Sequence, residues 1–157
     1  MKAQVLLTGA TGYIASHTWL ALLAAGYAVV GIDDFSNSSP EVLNRLRRLS
    51  GSEPAFERGN VCDAAALERV FARQRIDAVV HFAAFKAVGE STSRPLDYYA
   101  NNLGGLIAVC QAMQPHACQT FVFSSSATVY GSPDRLPITE DAPLAATNPY
   151  GATKLMS

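Results

Sequence analysis

A chain of 157 residues is long enough for one domain with a buried core, and 49% hydrophobic against 16% charged residues suits a sheet covered on both faces. A net charge of -1 leaves no basic footprint, so neither nucleic acid nor an anionic membrane surface is expected as a partner. The three cysteines, Cys62, Cys110 and Cys118, form no Cys-x-x-Cys pair, which predicts small buried hydrophobes in a reducing, cytoplasmic setting and no metal site.

No Asp, Glu, Lys or Arg lies between Lys2 and Asp33, so a signal peptide or membrane span is the first reading to weigh. Thr8, Gly9, Thr11, Gly12, Ser16, His17 and Gly26 interrupt the run, and no stretch reaches the roughly 18 apolar residues a span needs. A buried strand, a helix and a second buried strand account for it better. The strand is Val5-Leu6-Leu7, ending at Thr8. A turn with Gly9 and Gly12 comes next, and a helix runs from Tyr13 to Ala25 with Gly26 as its stop.

Strand, glycine turn and helix in that order make a dinucleotide cradle. Gly9 can take backbone angles closed to other residues, and Gly12 has no side chain to hold the main chain off a pyrophosphate. The helix N-terminus then offers N–H groups and a positive dipole end. Ala15 stands where a third small residue packs helix on strand. The same spacing also occurs in ordinary βα turns, so the turn gains its meaning from the second strand and the acid at that strand's end.

Ala28-Val29-Val30-Gly31-Ile32 is a continuous apolar run ending in Asp33-Asp34, the pattern of a central parallel strand. Asp33 lies 24 positions past Gly9, where a carboxylate accepts from both ribose hydroxyls and repels a 2′-phosphate. That favours NAD over NADP, against the plainer reading of an exposed strand-end Asp.

Phe35 to Ser39 is a polar loop, and Pro40 opens a helix to about Leu49. Ala55 to Arg58 reads as an edge strand, and Asp63 as the N-cap of a helix carrying Leu67, Val70 and Phe71. Ile76 to Ala84 is a further buried strand, in which His81 reads as a core histidine. Pro95 starts a long helix ending near Pro115, and Thr120 to Phe123 is the last strand, trailed by the small residues Ser124 to Thr128. Asn148-Pro149 signals a cap and first turn of one more helix. Strands alternating with helices predict an α/β fold, a doubly wound parallel sheet of Rossmann type in the order 3-2-1-4-5, as one domain over 1–157. No C-terminal helix signal precedes Ser157, so the chain is expected to stop short of further strands.

Tyr150 and Lys154 stand four apart on that last helix, hence on one face. A phenol near its ordinary pKa of about 10 is a poor base, and lowering it by about 3 units takes about 4 kcal/mol, which an ammonium, a helix N-terminus and a cationic ring can supply. Ser126 could hydrogen-bond a substrate hydroxyl as it becomes a carbonyl. Ser126, Tyr150 and Lys154 therefore form a candidate proton-transfer site. Tyr-x-x-x-Lys is common on helices by chance, and its weight comes from the turn, Asp33 and the serines.

These residues resemble the extended short-chain dehydrogenase/reductases along essentially the whole chain. The most specific stretches are Thr8-Gly9 to Ser16-His17-Thr18, His81-Phe82-Ala83, Lys86-Ala87-Val88-Gly89-Glu90-Ser91, Phe123-Ser124-Ser125-Ser126-Ala127-Thr128-Val129-Tyr130-Gly131, and Asn148-Pro149-Tyr150-Gly151 with Lys154. The resemblance implies Tyr150 as acid/base, Lys154 on the nicotinamide ribose, and Ser126 assisting. It implies that Tyr13, Ile14, Asp33, Asp34, Phe35, Ser36, Asn37, Ser38, Asn60, Val61, Phe82, Ala83, Ala84, Lys86 and Asn101 line NAD.

The activity implied is epimerisation of a UDP-hexose through transient oxidation at carbon 4. Other UDP-sugar epimerases or decarboxylases, and a non-catalytic NAD-binding remnant, stay open. A dehydratase is disfavoured because Ala127 and Thr128 supply no acid. The UDP-sugar domain of this family would lie past Ser157, so no turnover is expected of these residues alone. The long helix with Tyr98 and Asn102, together with the Tyr150 helix, would be the family's dimer surface, giving a homodimer through 95–115 and 149–157. Two positions depart from the family's pattern. Ala15 replaces a third Gly, and Asn60 replaces an acid near adenine, where its carbonyl oxygen is expected to accept in the acid's place.

Overall fold

The structure is a computed structural model that describes residues 2–157. Five strands, β1 (Gln4–Thr8), β2 (Ala28–Asp33), β3 (Ala55–Arg58), β4 (Ala78–His81) and β5 (Thr120–Phe123), form one sheet in the order β3-β2-β1-β4-β5. Every pairing is parallel, as the alternation of strands and helices requires. The helices are α1 (Tyr13–Ala24), α2 (Glu41–Ser50), α3 (Ala64–Arg73), α4 (Val88–Ser93), α5 (Pro95–Met113) and α6 (Pro149–Met156), with a 3₁₀ turn at Ala127–Tyr130. The chain divides into two compact units, one running up to Ala83 and including Ile107–Ser124, the other made of Ala84–Leu106 and Ser125–Ser157.

The first unit holds the whole sheet. Alternate residues of its strands serve opposite faces. Leu6, Val30, Ile32 and Val79 pack with Leu67, Val70 and Phe71 of α3 and with Val109 and Met113 of α5. Val5, Leu7 and Val29 pack with Trp19 of α1 and Leu46 of α2. Each fully buried aliphatic or aromatic side chain contributes about 1.5–3 kcal/mol, so this charge-free N-terminal stretch is the core and not a membrane segment. Among the described residues, no helix is long and apolar enough to cross a membrane.

Local chemistry sets the ends of these elements. Gly26 sits at φ +89°, its N–H meets the Leu23 carbonyl, and the Tyr27 N–H reaches back to Leu22, a Schellman stop for α1. Asp63 caps α3 by accepting from the Ala65 N–H at 2.9 Å. Between β1 and β4 the chain reverses its direction of travel along the sheet, so the carboxyl ends of these two strands mark the switch point where such folds open a crevice.

Three expectations need correction. The β4 strand ends at His81 and not at Ala84, because the Phe82 N–H is shared between the Thr8 carbonyl and hydroxyl and the Ala83 N–H turns to the Thr8 side chain. Cys118 is buried, but Cys62 and Cys110 are exposed. Cys62 lies in the turn ahead of α3, and Cys110 is on a face of α5 that Val109 and Met113 do not share with it.

The third correction concerns α5 in the second unit. Tyr98 is 1% exposed and Asn102 4% exposed, so neither belongs to an outer dimer surface. The Tyr98 hydroxyl accepts from the Ala87 N–H at 3.1 Å and lies 2.9 Å from the Ala87 carbonyl and 2.8 Å from Glu90 Oε2. Burial and the bond to Glu90 push this phenol above its ordinary pKa. Its ring also packs against Phe85, with centroids 5.5 Å apart.

Candidate functional site

In the first unit the cradle begins where β1 ends. Gly9 has φ +62°, and a Cβ added there would lie 2.9 Å from both the Cα and the N of Ala83. Only glycine lets the two backbones approach this closely. Gly12 is the N-cap of α1, and its N–H bonds the Gly9 carbonyl at 3.0 Å. Ala15 is buried at 1% exposure and fits where the third small residue is needed. Tyr13 and Ile14 are exposed on the first turn of α1, at 82% and 52%.

Thr8 ties β1 to the turn after β4. Its Oγ1 accepts from the Phe82 and Ala83 N–H groups, each at 3.2 Å, and lies 2.8 Å from His81 Nδ1. With both lone pairs used, the hydroxyl proton goes to Nδ1, so the His81 imidazole carries its own proton on Nε2. His81 is 1% exposed and lies beside the Phe121 and Phe123 rings. It is a core histidine, as expected.

Asp33, at the end of β2, is held from several sides. Its Oδ2 accepts from the Thr11 N–H at 3.1 Å, and its Oδ1 from the Phe35 N–H at 2.8 Å and the Ser38 hydroxyl at 3.2 Å. Thr11 and Ser38 share a further bond of 2.6 Å. Phe35 adopts φ +61°, which costs a non-glycine residue of order 1–3 kcal/mol. Its ring rests against Phe56 at 5.3 Å and under the Arg58 guanidinium at 5.7 Å. Ser36 and Asn37 are exposed on the same loop.

Asp34 bonds the Ser36 N–H at 2.8 Å and the Asn60 amide at 2.7 Å. Partial burial raises its carboxyl, but these bonds outweigh that and hold it below the ordinary Asp value. Asn60 Oδ1 meanwhile accepts from the Cys62 N–H at 2.8 Å. One lone pair of this oxygen thus serves the local turn, and the other is available to accept. Val61 is 6% exposed and its side chain belongs to the core, and the Cys62 thiol is pushed up by burial and by Asp34.

The second unit gathers the candidate proton-transfer residues. Asn148 caps α6 by accepting from the Gly151 N–H at 2.8 Å, and Pro149 fills the first helical position. Tyr150 and Lys154 are both buried, at 7% and 5% exposure. Burial, and then the charge of Lys86, lowers the Lys154 ammonium to about 8. Lys86 itself is exposed, while Ala84 and Asn101 are half-buried. Ser126 lies past β5 rather than at its last residue. It caps the 3₁₀ turn, where its Oγ accepts from the Thr128 N–H at 3.2 Å and the Thr128 hydroxyl at 2.9 Å.

Two polar residues, Thr11 and Thr153, escaped the sequence reading, and a third, Asn102, was expected on an outer surface. Thr11 anchors Asp33, while Asn102 and Thr153 bond each other at 3.0 Å beside the two lysines. Only Thr11, inside the glycine turn, had a signal that could have found it.

Residues 5–157 match the NAD dependent epimerase/dehydratase family. The chain belongs to that family. This epimerase/dehydratase chain is 53% identical over 152 residues to UDP-glucose 4-epimerase of Bacillus subtilis (strain 168), covering 97% of this chain and 45% of that protein. It is 48% identical over 158 residues to UDP-glucose 4-epimerase 2 of Arabidopsis thaliana, covering 99% and 45%. The crystal structure of UDP-glucose 4-epimerase from Bifidobacterium longum in complex with NAD+ and UDP superimposes with a TM-score of 0.95 at 48% identity, over 98% of this chain and 46% of that one. The chain thus spans about 45% of the length of the curated relatives it matches.

Proposed function

We propose that this chain is the NAD-binding and proton-transfer portion of an enzyme that interconverts UDP-galactose and UDP-glucose. The observation that carries the reading is Tyr150 followed by a buried, still cationic Lys154 on the capped helix α6, in a chain of this family.

The cradle fits a dinucleotide. Gly9 leaves room that any Cβ would fill, α1 presents its N-terminus, and Asp33 is a carboxylate at the ribose position. Gly9, Gly12, Tyr13, Ile14, Asp33 to Ser38, Asn60, Val61, Phe82 to Ala84, Lys86 and Asn101 are the residues proposed to hold NAD. Asp33 is the basis for preferring NAD to NADP. When bound, the cofactor supplies reversible hydride acceptance.

Tyr150 Oη takes the proton from the substrate hydroxyl as that carbon becomes a ketone, and returns it when the carbon is reduced again. Lys154 stabilises the phenolate that takes this proton, because its ammonium is buried where water screens it little. Ser126 donates to the same substrate oxygen. A homodimer through the outer sides of α5 and α6, where Leu96, Leu155 and Met156 are exposed, belongs to the same proposal.

The test is conversion of UDP-galactose to UDP-glucose by the protein that carries this chain, with Tyr150→Phe beside it. The phenylalanine variant should lose about 10²–10⁴-fold in kcat. Equal conversion by both proteins, or consumption of a UDP-uronate instead, would overturn the reading.

A further inference from the structure

One neighbour fills both lone pairs of Ser126. Thr128, further along the 3₁₀ turn, gives its N–H to Ser126 Oγ at 3.2 Å and its hydroxyl proton to the same oxygen at 2.9 Å. A serine hydroxyl has two acceptor positions and one proton, so Ser126 meets a ligand as a donor only. It is half-buried and stays within reach of one. The N–H bond by itself caps the turn, and every residue except proline would supply it at position 128. The hydroxyl bond is additional and belongs to the threonine side chain.

Thr128 is held from its other side by the helix that carries Tyr150. A Cβ added at Gly151 would lie 3.0 Å from the Thr128 carbonyl oxygen and 3.4 Å from Thr128 Cβ, so the first turn of α6 rests on Thr128 just past Tyr150. The 3₁₀ turn is pinned by Val129, which is 7% exposed and whose carbonyl accepts from the Ala145 N–H at 2.9 Å. We propose that Thr128 is a positioning residue that makes Ser126 a pure donor and keeps that donor in register with Tyr150. This rests on the roles proposed for Ser126 and Tyr150, but the hydrogen-bond polarity it describes belongs to the turn alone.

Polarity matters because the substrate oxygen changes character. As a hydroxyl it gives its proton to Tyr150, and as a ketone it has none to give. A serine that only donates bonds that oxygen in both states and leaves the proton to Tyr150. Without the Thr128 hydroxyl, Ser126 regains an acceptor position and turns more freely about χ1. It then competes with Tyr150 for the substrate proton and holds the substrate in an unproductive hydrogen bond. The cost falls on kcat, since the substrate keeps its contacts while the proton faces the wrong partner.

The experiment is a double-mutant cycle of Thr128→Val and Ser126→Ala in the protein that carries this chain, read as kcat and KM for UDP-galactose. Thr128→Val keeps the shape and the N–H bond, and should lower kcat about 2–10-fold with KM changed little. Thr128→Ser, which keeps the hydroxyl, should restore kcat. With Ser126→Ala already in place, Thr128→Val should lower kcat no further. Equal losses in both backgrounds, or a lowered urea midpoint with kcat untouched, would overturn the inference. A second measurement needs no turnover. Side-chain three-bond couplings of Ser126 by NMR should report one χ1 rotamer in wild type and Thr128→Ser, and an average over rotamers in Thr128→Val. One rotamer in all three proteins would equally overturn it. Failure to convert UDP-galactose would sink the sugar-nucleotide reading, and the couplings would still decide for or against Thr128.

Discussion

Three glycine-to-alanine substitutions separate backbone strain from steric contact in the first unit. Gly26 has φ +89° with nothing within 4 Å of an added Cβ, so Gly26→Ala measures strain alone, about 1 kcal/mol. Gly31 has no unusual φ, but an added Cβ would lie 2.2 Å from Trp19 Cζ3 and 2.6 Å from Ala10 Cβ. Carbon atoms sit comfortably at about 3.5–4 Å, so more than 1 Å must be cleared around a fully buried ring, at the upper end of overpacking costs, about 3 kcal/mol. Gly9 combines the two effects, with φ +62° and contacts of 2.9 Å to backbone atoms of Ala83 that cannot rotate away. Strain of about 1 kcal/mol and overlap of about 2 kcal/mol make about 3 kcal/mol in all.

Trp19 is the only tryptophan, so urea unfolding followed by its emission reports this unit directly. With these magnitudes Gly9→Ala and Gly31→Ala lower the melting temperature by about 6–12 °C and Gly26→Ala by about 2–4 °C. Only Gly31→Ala should also change the emission of the folded protein. If Gly9→Ala proves no more costly than Gly26→Ala, the Ala83 backbone yields freely, and the close approach that defines the cradle is not a constraint.

Lys154 gives a pH dependence with a definite sign. Its folded value of about 8 lies below the roughly 10.4 of an unfolded lysine, so between those values the unfolded chain binds more protons. Its contribution makes stability rise from pH 8 to about 10.4, by up to about 3 kcal/mol. Lys154→Met should flatten that rise in urea midpoints, and an unchanged slope would contradict the assignment. For His81, nitrogen NMR should find the proton on Nε2 in wild type and in Thr8→Ser, and a proton on Nδ1 would refute the direction given to the Thr8 bond. Thr8→Val should cost about 1–3 kcal/mol in urea unfolding, since the Ala83 N–H loses its acceptor while the Phe82 N–H keeps the Thr8 carbonyl at 3.3 Å, and a neutral result would show that Ala83 finds a partner elsewhere. Asn60→Asp should set two carboxylates against each other, lowering the urea midpoint at pH 7 and restoring it as pH falls below about 4. Equal midpoints at both pH values would speak against close contact.

The sheet was legible because its signals are long and redundant. Continuous runs such as Ala28 to Ile32, bounded by Gly26 and Asp33, fix a buried parallel strand whatever its neighbours do. Caps were equally clear, since Asp63 and Asn148 act within a few residues of themselves. The helix α4 escaped because Val-Gly-Glu-Ser-Thr-Ser carries no apolar period. It is held by Ser91, Thr92 and Ser93 bonding back to carbonyls and by Tyr98 from the next helix. The inward turn of Tyr98 and Asn102 was hidden for a related reason. Their partners, Ala87, Phe85 and Thr153, are up to 51 positions away, and no spacing within α5 betrays them. The bond from the Cys62 N–H to Asn60 Oδ1 was likewise not readable from the residue type alone.

The bond between Asp34 and Asn60 carries one further meaning. An amide at position 60 looks like a lost acid only while that residue is considered by itself. Across 2.7 Å, positions 34 and 60 hold one negative charge and one donor between them. Exchanging the two residues would keep both the charge and the bond, whereas changing either alone gives two acids or none. The two positions therefore behave as a single character of the sequence, readable only as a pair, and a tolerated substitution at one implies the compensating residue at the other.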